Sequence, residues 1–196
     1  GCTHRVIGDR IVCATYLCAA AAAGGEVRLT GVDYRAVSTV ALSLAESGCE
    51  IRSEADAVSL RSHGALRSVR PVRTAPYPGF PTDAQPVLMA ALLRSEGCTV
   101  FVENIFENRY RHVDELSRMG AEIRVAGRVA VVNGVRTLHG AAVKCTDLRG
   151  GAALVIAGLS AEGTTRVTEL THIDRGYDAI ERDLAALGAQ IRRETT

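Results

Sequence analysis

Asp83 is the side chain whose setting most strongly suggests chemistry. It lies near the end of the segment RPVRTAPYPGFPTDAQP, which holds all five prolines of the chain, from Pro71 to Pro86. Each proline ring fixes φ and pushes the preceding residue toward extended geometry, so the segment predicts a stiff loop. Such a loop aims one carboxylate at a defined place, where it could cap the following helix and also take a proton from a substrate hydroxyl. A rigid interdomain linker is the alternative.

Arginines accompany this carboxylate at the loops that open predicted helices. Helix N-termini present free N–H groups and partial positive charge, and arginine adds a fork of donors, so together they suit phosphate or carboxylate. The alternative is a surface pairing of each arginine with a nearby acid, such as Asp9, Glu107, Asp147 or Asp174. Because the arginines recur at corresponding positions of the repeat described below, we favour the anion site. The charged residues before first helices are Arg10, Asp83 and Arg149, and those near second helices are Arg35, Arg109 and Arg175.

Composition argues against several classes of function. The net charge is +1 and Trp is absent, so neither nucleic acid nor an acidic membrane is an expected partner. The six cysteines show no CxxC and no metal spacing, and no histidine has a partner at a triad spacing. We therefore expect reduced thiols, a cytoplasmic location, and no metal or cofactor. The run LCAAAAAGG is too short to span a bilayer, no signal peptide is visible, and the start at Gly1 indicates processing or a longer parent chain.

An internal repeat organises the elements that must position these side chains. GCEIR, GAEIR and GAQIR recur about 70 residues apart, and AAGGEVRLTGV, SEGCTVFVENI and AEGTTRVTELT recur in step with them. Each unit predicts a charged loop, an apolar helix that ends at glycine, a β-strand, a second helix that ends at glycine, and a short strand. The units run over about residues 1–67, 68–138 and 139–196.

The third unit is shorter than the other two. The first two units each add a further strand, AVSLRS or RVAVVNG, whereas the third ends at QIRRETT. The pattern predicts an unpaired sheet edge beside Gln190–Arg193, which proteins normally avoid. Either missing strands come from another segment, which we favour, or this unit is a degenerate cap. Because the first helices are apolar nearly all round, the simplest α/β arrangement puts helices inside and sheets outside around an approximate threefold axis.

Four long segments resemble one enzyme family. RTAPYPGFPTDAQ, ENIFENRYRHVDELSRMGA, TDLRGGAALVIAGL and HIDRGYDAIERDLAALGA are similar to the UDP-N-acetylglucosamine 1-carboxyvinyltransferases, a family of enolpyruvyl transferases. The resemblance covers essentially the whole chain, but only the C-terminal part of the family protein. It implies a single domain built as an inside-out α/β barrel, with the active site in a cleft against an N-terminal catalytic domain that this chain lacks. It also implies that the N-terminus of the full enzyme supplies strands to the third unit.

The resemblance implies a reaction and its location. The family transfers enolpyruvyl from phosphoenolpyruvate to the 3-hydroxyl of UDP-N-acetylglucosamine with release of phosphate, in the cytoplasm, as the first committed step of peptidoglycan synthesis. We expect the isolated chain to be inactive, because the family's cysteine acid and lysine–asparagine pair lie outside it. A non-catalytic binding or regulatory module that kept the fold is the second hypothesis, and a purely structural repeat protein is the third.

The resemblance also assigns roles to residues. Asp83 matches the carboxylate that binds and deprotonates the sugar hydroxyl, and Ile105 matches a contact to the UDP-sugar. The arginines of the cleft fall on Arg109, Arg149 and Arg175, and an interdomain position falls on Arg10. Three positions depart from the family pattern: Gly8 and Val12 replace the proline and glutamate of IPDRIE, and Tyr77 replaces a common histidine.

Overall fold

Helices and short strands alternate along the chain. The computed structural model describes residues 1–4 and 6–194. Its helices are α1 (Arg10–Ala23), α2 (Tyr34–Glu46), α3 (Gln85–Ala91, after a 3-10 turn at Thr82–Ala84), α4 (Val113–Arg118), α5 (Leu148–Leu159), α6 (Thr171–Asp174) and α7 (Ile180–Ala186). Its strands are β1 (Gly25–Thr30), β2 (Glu50–Ser53), β3 (Ala57–Ser62), β4 (Val72–Arg73), β5 (Cys98–Val102), β6 (Glu122–Ala126), β7 (Val129–Asn133), β8 (Leu138–His139), β9 (Ala142–Lys144), β10 (Ala161–Glu162) and β11 (Arg166–Thr168).

The first helices of the three units form the inner layer. Helices α1, α3 and α5 contact one another pairwise. Their side chains are buried on nearly every face; all seven residues of α3, for example, are buried. Helices that are apolar all round are stable only when other elements enclose them. The predicted arrangement, with helices inside and sheets outside, is therefore confirmed, and α1, α3 and α5 are its centre.

The sheets of the first two units share one hairpin pattern. In the first unit, β3 pairs antiparallel with both β1 and β2. In the second unit, β7 pairs antiparallel with both β5 and β6, and β4 adds a parallel edge beside β5. The predicted strands EVRLTGV, AVSLRS, TVFVEN and RVAVVNG thus all form. Helix α2 packs on α1 and contacts β2, and α4 lies against β6 and α5.

The third unit lacks that hairpin. Its strands make two parallel pairs, β8 with β10 and β9 with β11. The predicted strand at Gln190–Arg192 does not form: residues 189–194 have no ladder partner in the part of the chain that the structure describes. In the first two units the strand after the second helix, β2 or β6, pairs with β3 or β7. The described residues of the third unit contain no strand that corresponds to β3 or β7. For the same described residues, the sheets stay separate and do not join into a closed barrel.

Two second helices are shorter than the periodicity predicts. The pattern of NRYRHVDELSRM predicts a helix over 108–119, but α4 covers only Val113–Arg118. The pattern of IDRGYDAIERDLAAL predicts one helix, but α6 and α7 are separated by a turn in which Ala179 has φ 50°. In both places a side chain of the non-helical segment bonds toward the inner layer: Arg109 to Thr82 O beside α3, and Tyr177 to Thr15 on α1.

Among the described residues, no helix has the length and apolar character that crossing a membrane would require.

Removing apolar volume from the inner layer should strongly lower the free energy of unfolding. Leu154 on α5 is fully buried, whereas Leu42 on α2 is 60% exposed. We expect Leu154→Ala to lower the free energy of unfolding by about 2–5 kcal/mol, because it removes buried methyl groups and leaves a cavity among three helices. Leu42→Ala, the matched control, should change it by less than about 0.5 kcal/mol. Urea denaturation measures both, and equal losses would contradict this account of the core.

Candidate active site

The N-terminal ends of the inner helices lie together and are capped unequally. Asp9 accepts hydrogen bonds from the backbone N of Ile11 (2.7 Å) and Val12 (3.2 Å) at the start of α1. Asp147 accepts from the backbone N of Arg149 (3.0 Å) and Gly150 (2.9 Å) at the start of α5. These two acids are N-caps, as their residue type favours. Helix α3 and the 3-10 turn before it have no side-chain cap.

Asp83 has a different role from the helix cap that the sequence suggests. It lies inside the 3-10 turn, and the N-cap position there belongs to Pro81. Its Oδ1 is 2.6 Å from Arg109 Nη2, and its Oδ2 is 3.3 Å from Arg149 Nη2. The Asp83 side chain remains 41% exposed, while those of the two arginines are 9% and 13% exposed. The capping prediction is therefore wrong: two arginines hold this carboxylate and leave one side of it open.

Arg109 fixes the end of the proline loop. Its Nε and Nη2 donate to the backbone O of Thr82 at 3.2 Å and 3.0 Å, in addition to the ion pair with Asp83. Its guanidinium carbon lies 5.2 Å from the centre of the Phe106 ring. A cation over an aromatic face is attracted to it, so Phe106 supports the guanidinium plane from one side.

Arg149 connects α5 to the other two inner helices. Its guanidinium carbon lies 5.7 Å from the centre of the Tyr177 ring, and its Nη1 donates to Tyr177 Oη at 3.2 Å. The same Tyr177 hydroxyl is 2.8 Å from Thr15 Oγ1 on α1. Arg149 therefore reaches Asp83 beside α3 and, through Tyr177, reaches α1. Tyr177 and Thr15 had no signal in the sequence, since each is a common residue inside an apolar pattern.

Arg10 lies at the tip of the proline loop. Its guanidinium carbon is 5.2 Å from the centre of the Tyr77 ring, and Tyr77 is 64% exposed. This stacking joins the start of α1 to the loop that carries Asp83. Gly8, just before α1, approaches the carbonyl of Gly31 so closely that a Cβ would overlap it. The departures at Gly8 and Tyr77 thus both have a local structural role.

The remaining predicted residues take different positions. Ile105 is 43% exposed, in a loop that follows β5 and leads to Arg109. Arg175 is an exposed residue at the C-terminal end of α6, and the hydrogen bonds and ion pairs of the described residues do not link it to Asp83. The structure therefore brings together Asp83, Arg109 and Arg149 and leaves Arg175 at the rim.

His112 is a buried, unpaired group beneath this cluster. Neither ring nitrogen has a hydrogen-bond partner among the described residues. Burial, helped by the positive charge of Arg109, lowers the pKa of His112 to about 4, although Asp147 opposes the shift. Burial alone would raise the pKa of Asp147, but hydrogen bonds from the backbone N–H of Gly150 and Arg149, together with the positive charge of Arg109, hold it below its usual value. His112 is therefore neutral at pH 7.

The described residues contain no group of three or more His, Cys, Asp and Glu side chains placed to hold a metal ion. What the arrangement offers instead is a half-open carboxylate and guanidinium N–H groups near helix N-termini. These groups suit a hydroxyl that gives up a proton and a substrate that carries negative charge.

A family model described as EPSP synthase (3-phosphoshikimate 1-carboxyvinyltransferase) matches residues 1–184. The chain belongs to the EPSP synthase family. Relatives named UDP-N-acetylglucosamine 1-carboxyvinyltransferase support this: one from Gluconacetobacter diazotrophicus is 51% identical over 193 residues, 98% of this chain and 46% of the relative. Another, from Desulfofundulus thermocisternus, is 51% identical over 194 residues, 98% of this chain and 79% of the relative. The family is one of carboxyvinyl transferases.

Two solved structures share this fold. The enolpyruvyl transferase NikO from Streptomyces tendae superposes with a TM-score of 0.83 at 29% identity, over 95% of this chain and 44% of that one. EPSP synthase from Acinetobacter baumannii gives a TM-score of 0.75 at 22% identity, over 97% and 45% of the two chains, and so supports the fold alone. The chain spans about half the length of most of the relatives it matches.

His112 predicts a pH dependence of stability. The unfolded histidine has a pKa near 6.5 and the folded one about 4, so between these values the unfolded chain binds a proton that the folded protein does not. Stability should therefore fall as the pH falls through this window. From pH 7.5 to 4.5 this group should remove roughly 2–3 kcal/mol of the free energy of unfolding. Urea midpoints at several pH values measure the slope.

The variant His112→Gln carries no titrating group at this position. Its free energy of unfolding should therefore fall less between pH 7.5 and 4.5, by that amount, whatever its stability at pH 7.5. The matched control His63→Gln changes a histidine in an exposed loop and should keep the slope of the unmodified protein. Equal slopes in all three proteins would show that His112 does not stay neutral.

Proposed function

We propose that this chain forms the C-terminal half of a UDP-N-acetylglucosamine 1-carboxyvinyltransferase. The reaction transfers the enolpyruvyl group of phosphoenolpyruvate to the 3-hydroxyl of UDP-N-acetylglucosamine and releases phosphate. Support comes from relatives of that name at 51% identity over nearly the whole chain. An N-terminal catalytic domain would complete the cleft, since this chain spans 46% of the first of those relatives.

The observation that carries the proposal is the half-open carboxylate of Asp83 between Arg109 and Arg149. In our proposal the sugar 3-hydroxyl donates its proton to Asp83 while its oxygen bonds to C2 of phosphoenolpyruvate. C3 gains a proton from an acid of the missing domain and loses one again when the C2–O bond to phosphate breaks. A base placed in this way contributes about 10²–10⁴-fold to the rate.

The arginines have two roles in this proposal. Each guanidinium holds Asp83 through one nitrogen and has further N–H groups that can face the anionic substrates. Phosphoenolpyruvate and the diphosphate of UDP carry several negative charges, so such donors supply much of the binding and stabilise charge in the transition state. Arg175 at the rim and Ile105 in the exposed loop complete the contacts to substrate. Arg10 contributes a contact between the domains.

The proposal places the protein in the cytoplasm, at the first committed step of peptidoglycan synthesis. Cell wall biogenesis, and through it cell shape and division, would depend on its product. The proposal involves neither nucleic acid nor a membrane as a partner.

Asp83→Asn tests the proposal in an enzyme completed with the N-terminal half of a longer relative. The amide keeps the size of the side chain but accepts no proton, so kcat should fall by roughly 10²-fold or more. Asp83 caps no helix and is half-exposed, so the lost ion pairs should cost only about 1 kcal/mol of stability. Phosphate release gives kcat, and urea denaturation gives the stability.

The matched control is Glu26→Gln, which removes an exposed carboxylate on β1. It should leave both quantities unchanged. A non-catalytic module predicts the opposite ranking for Asp83→Asn, with a stability loss and no effect on turnover. Near-normal kcat would remove Asp83 from the mechanism.

The 196 residues alone should release no phosphate from UDP-N-acetylglucosamine plus phosphoenolpyruvate. They hold the base and the arginines of the proposed site, but not the acid that protonates C3. A phosphate assay against a sample without protein checks this, and the completed enzyme is the positive control. Turnover by the isolated chain would show that our division of the site between two domains is wrong.

A further inference from the structure

Glu103 is a buried carboxylate that the proposed mechanism does not use. It follows β5 and is only 1% exposed. Its Oε1 accepts hydrogen bonds from Thr74 Oγ1 (2.8 Å) and from the backbone N of Ile105 (2.8 Å) and Phe106 (3.0 Å). Its Oε2 accepts from Thr82 Oγ1 at 3.0 Å. Among the described residues, Glu103 forms no ion pair.

These four donors come from two loops. Thr74 and Thr82 stand near the two ends of the proline loop, and Thr82 directly precedes Asp83. The backbone donors belong to the turn that carries Ile105. A further pair of bonds joins the same loops, because Asn104 donates its backbone N to Thr74 Oγ1 (2.8 Å) and its Nδ2 to Thr74 O (3.1 Å). One carboxylate thus ties both ends of the proline loop to the neighbouring turn.

We propose that Glu103 is a positioning residue that sets Asp83 and Ile105 at a fixed distance from each other. This inference rests on the proposed function, in which Asp83 takes the proton of the sugar hydroxyl and Ile105 contacts the same sugar nucleotide. Their relative position then decides whether the hydroxyl of a bound sugar meets the base.

The energetics favour a specific role for this side chain. A buried carboxylate is costly unless hydrogen bonds replace its water, and here four donors do so. Removing it leaves those donors unsatisfied, and the two backbone N–H groups cannot turn away to find another acceptor. Both loops must then shift. A displacement of about 1 Å of a reacting group can cost on the order of 10²-fold in rate.

We expect glutamine at position 103 to preserve the positioning role of this glutamate. An amide oxygen can accept from Ile105, Phe106 and Thr74, and the amide NH₂ can donate to the Thr82 hydroxyl, which accepts as readily as it donates. Glu103→Gln therefore keeps all four contacts, whereas Glu103→Ala loses them all. The rescue separates hydrogen-bond positioning from a need for negative charge.

The test uses the completed enzyme, with steady-state kinetics for each substrate. Glu103→Ala should lower kcat by about 10-fold to 10²-fold and raise KM for UDP-N-acetylglucosamine, because the base and the sugar contact lose their relative position. KM for phosphoenolpyruvate should also rise, since Arg109 is bonded to Thr82 and moves with the loop. Glu103→Gln should stay within about fivefold of the unmodified enzyme in all three values. Glu122→Ala, which removes an exposed glutamate at the start of β6, is the matched control and should change none of them.

A second measurement needs no turnover. Amide hydrogen exchange of residues 74–82 and 103–106, without substrate, should become faster in both segments in Glu103→Ala and stay slow in Glu103→Gln. Faster exchange in an enzyme that proves inactive would reject the proposed function but support the coupling of the two loops. Unchanged exchange in Glu103→Ala would overturn the inference, and so would identical kinetic losses in the alanine and glutamine variants.

Discussion

The inner helices are apolar on every side, and the rest of the structure depends on that constraint. Helices α1, α3 and α5 must be enclosed along their length, so sheets and second helices cover their sides. What remains for polar chemistry is the helix ends, where unpaired N–H groups point out of the core. The loops that open these helices therefore carry the capping acids and the arginines.

Four carboxylates of this part of the molecule are used in three different ways. Asp9 and Asp147 accept hydrogen bonds from helix N–H groups, so they are committed to structure. Glu103 is also committed, to loop donors instead of a helix. Asp83 alone is held by guanidinium groups and keeps an exposed side. A carboxylate that is oriented but not fully satisfied within its own chain can still exchange a proton with a bound molecule, and this distinguishes it from its neighbours.

The sequence predicted the parts of the fold that depend on local patterns. Repeat spacing, apolar periodicity and glycine stops predicted α1, α5, β1, β3, β5 and β7, since each depends on residues close in the chain. It failed where contacts between residues far apart in the chain accompany a non-helical backbone. Arg109 bonds to Thr82 from the turn before α4, and Tyr177 bonds to Thr15 where the helix expected at 173–187 is interrupted. The same holds for the site. Its residue type and setting indicated Asp83, but only the fold shows that its carboxylate pairs with two arginines and not with helix N–H groups.

The bracing of Asp83, Arg109 and Arg149 bears on how the proposed complete enzyme would close. Thr82 O and the Thr82 hydroxyl are already held by Arg109 and Glu103, and Arg149 is held by Tyr177. These contacts form within the chain, so the entropy cost of ordering the loops is met during folding and not when substrate binds. Under the proposed function, closure would then need only to bring anionic substrate groups to arginines that are already oriented. In that proposal Arg175 and Arg10, which lie at the rim and at the loop tip, would be the groups that respond to a partner domain.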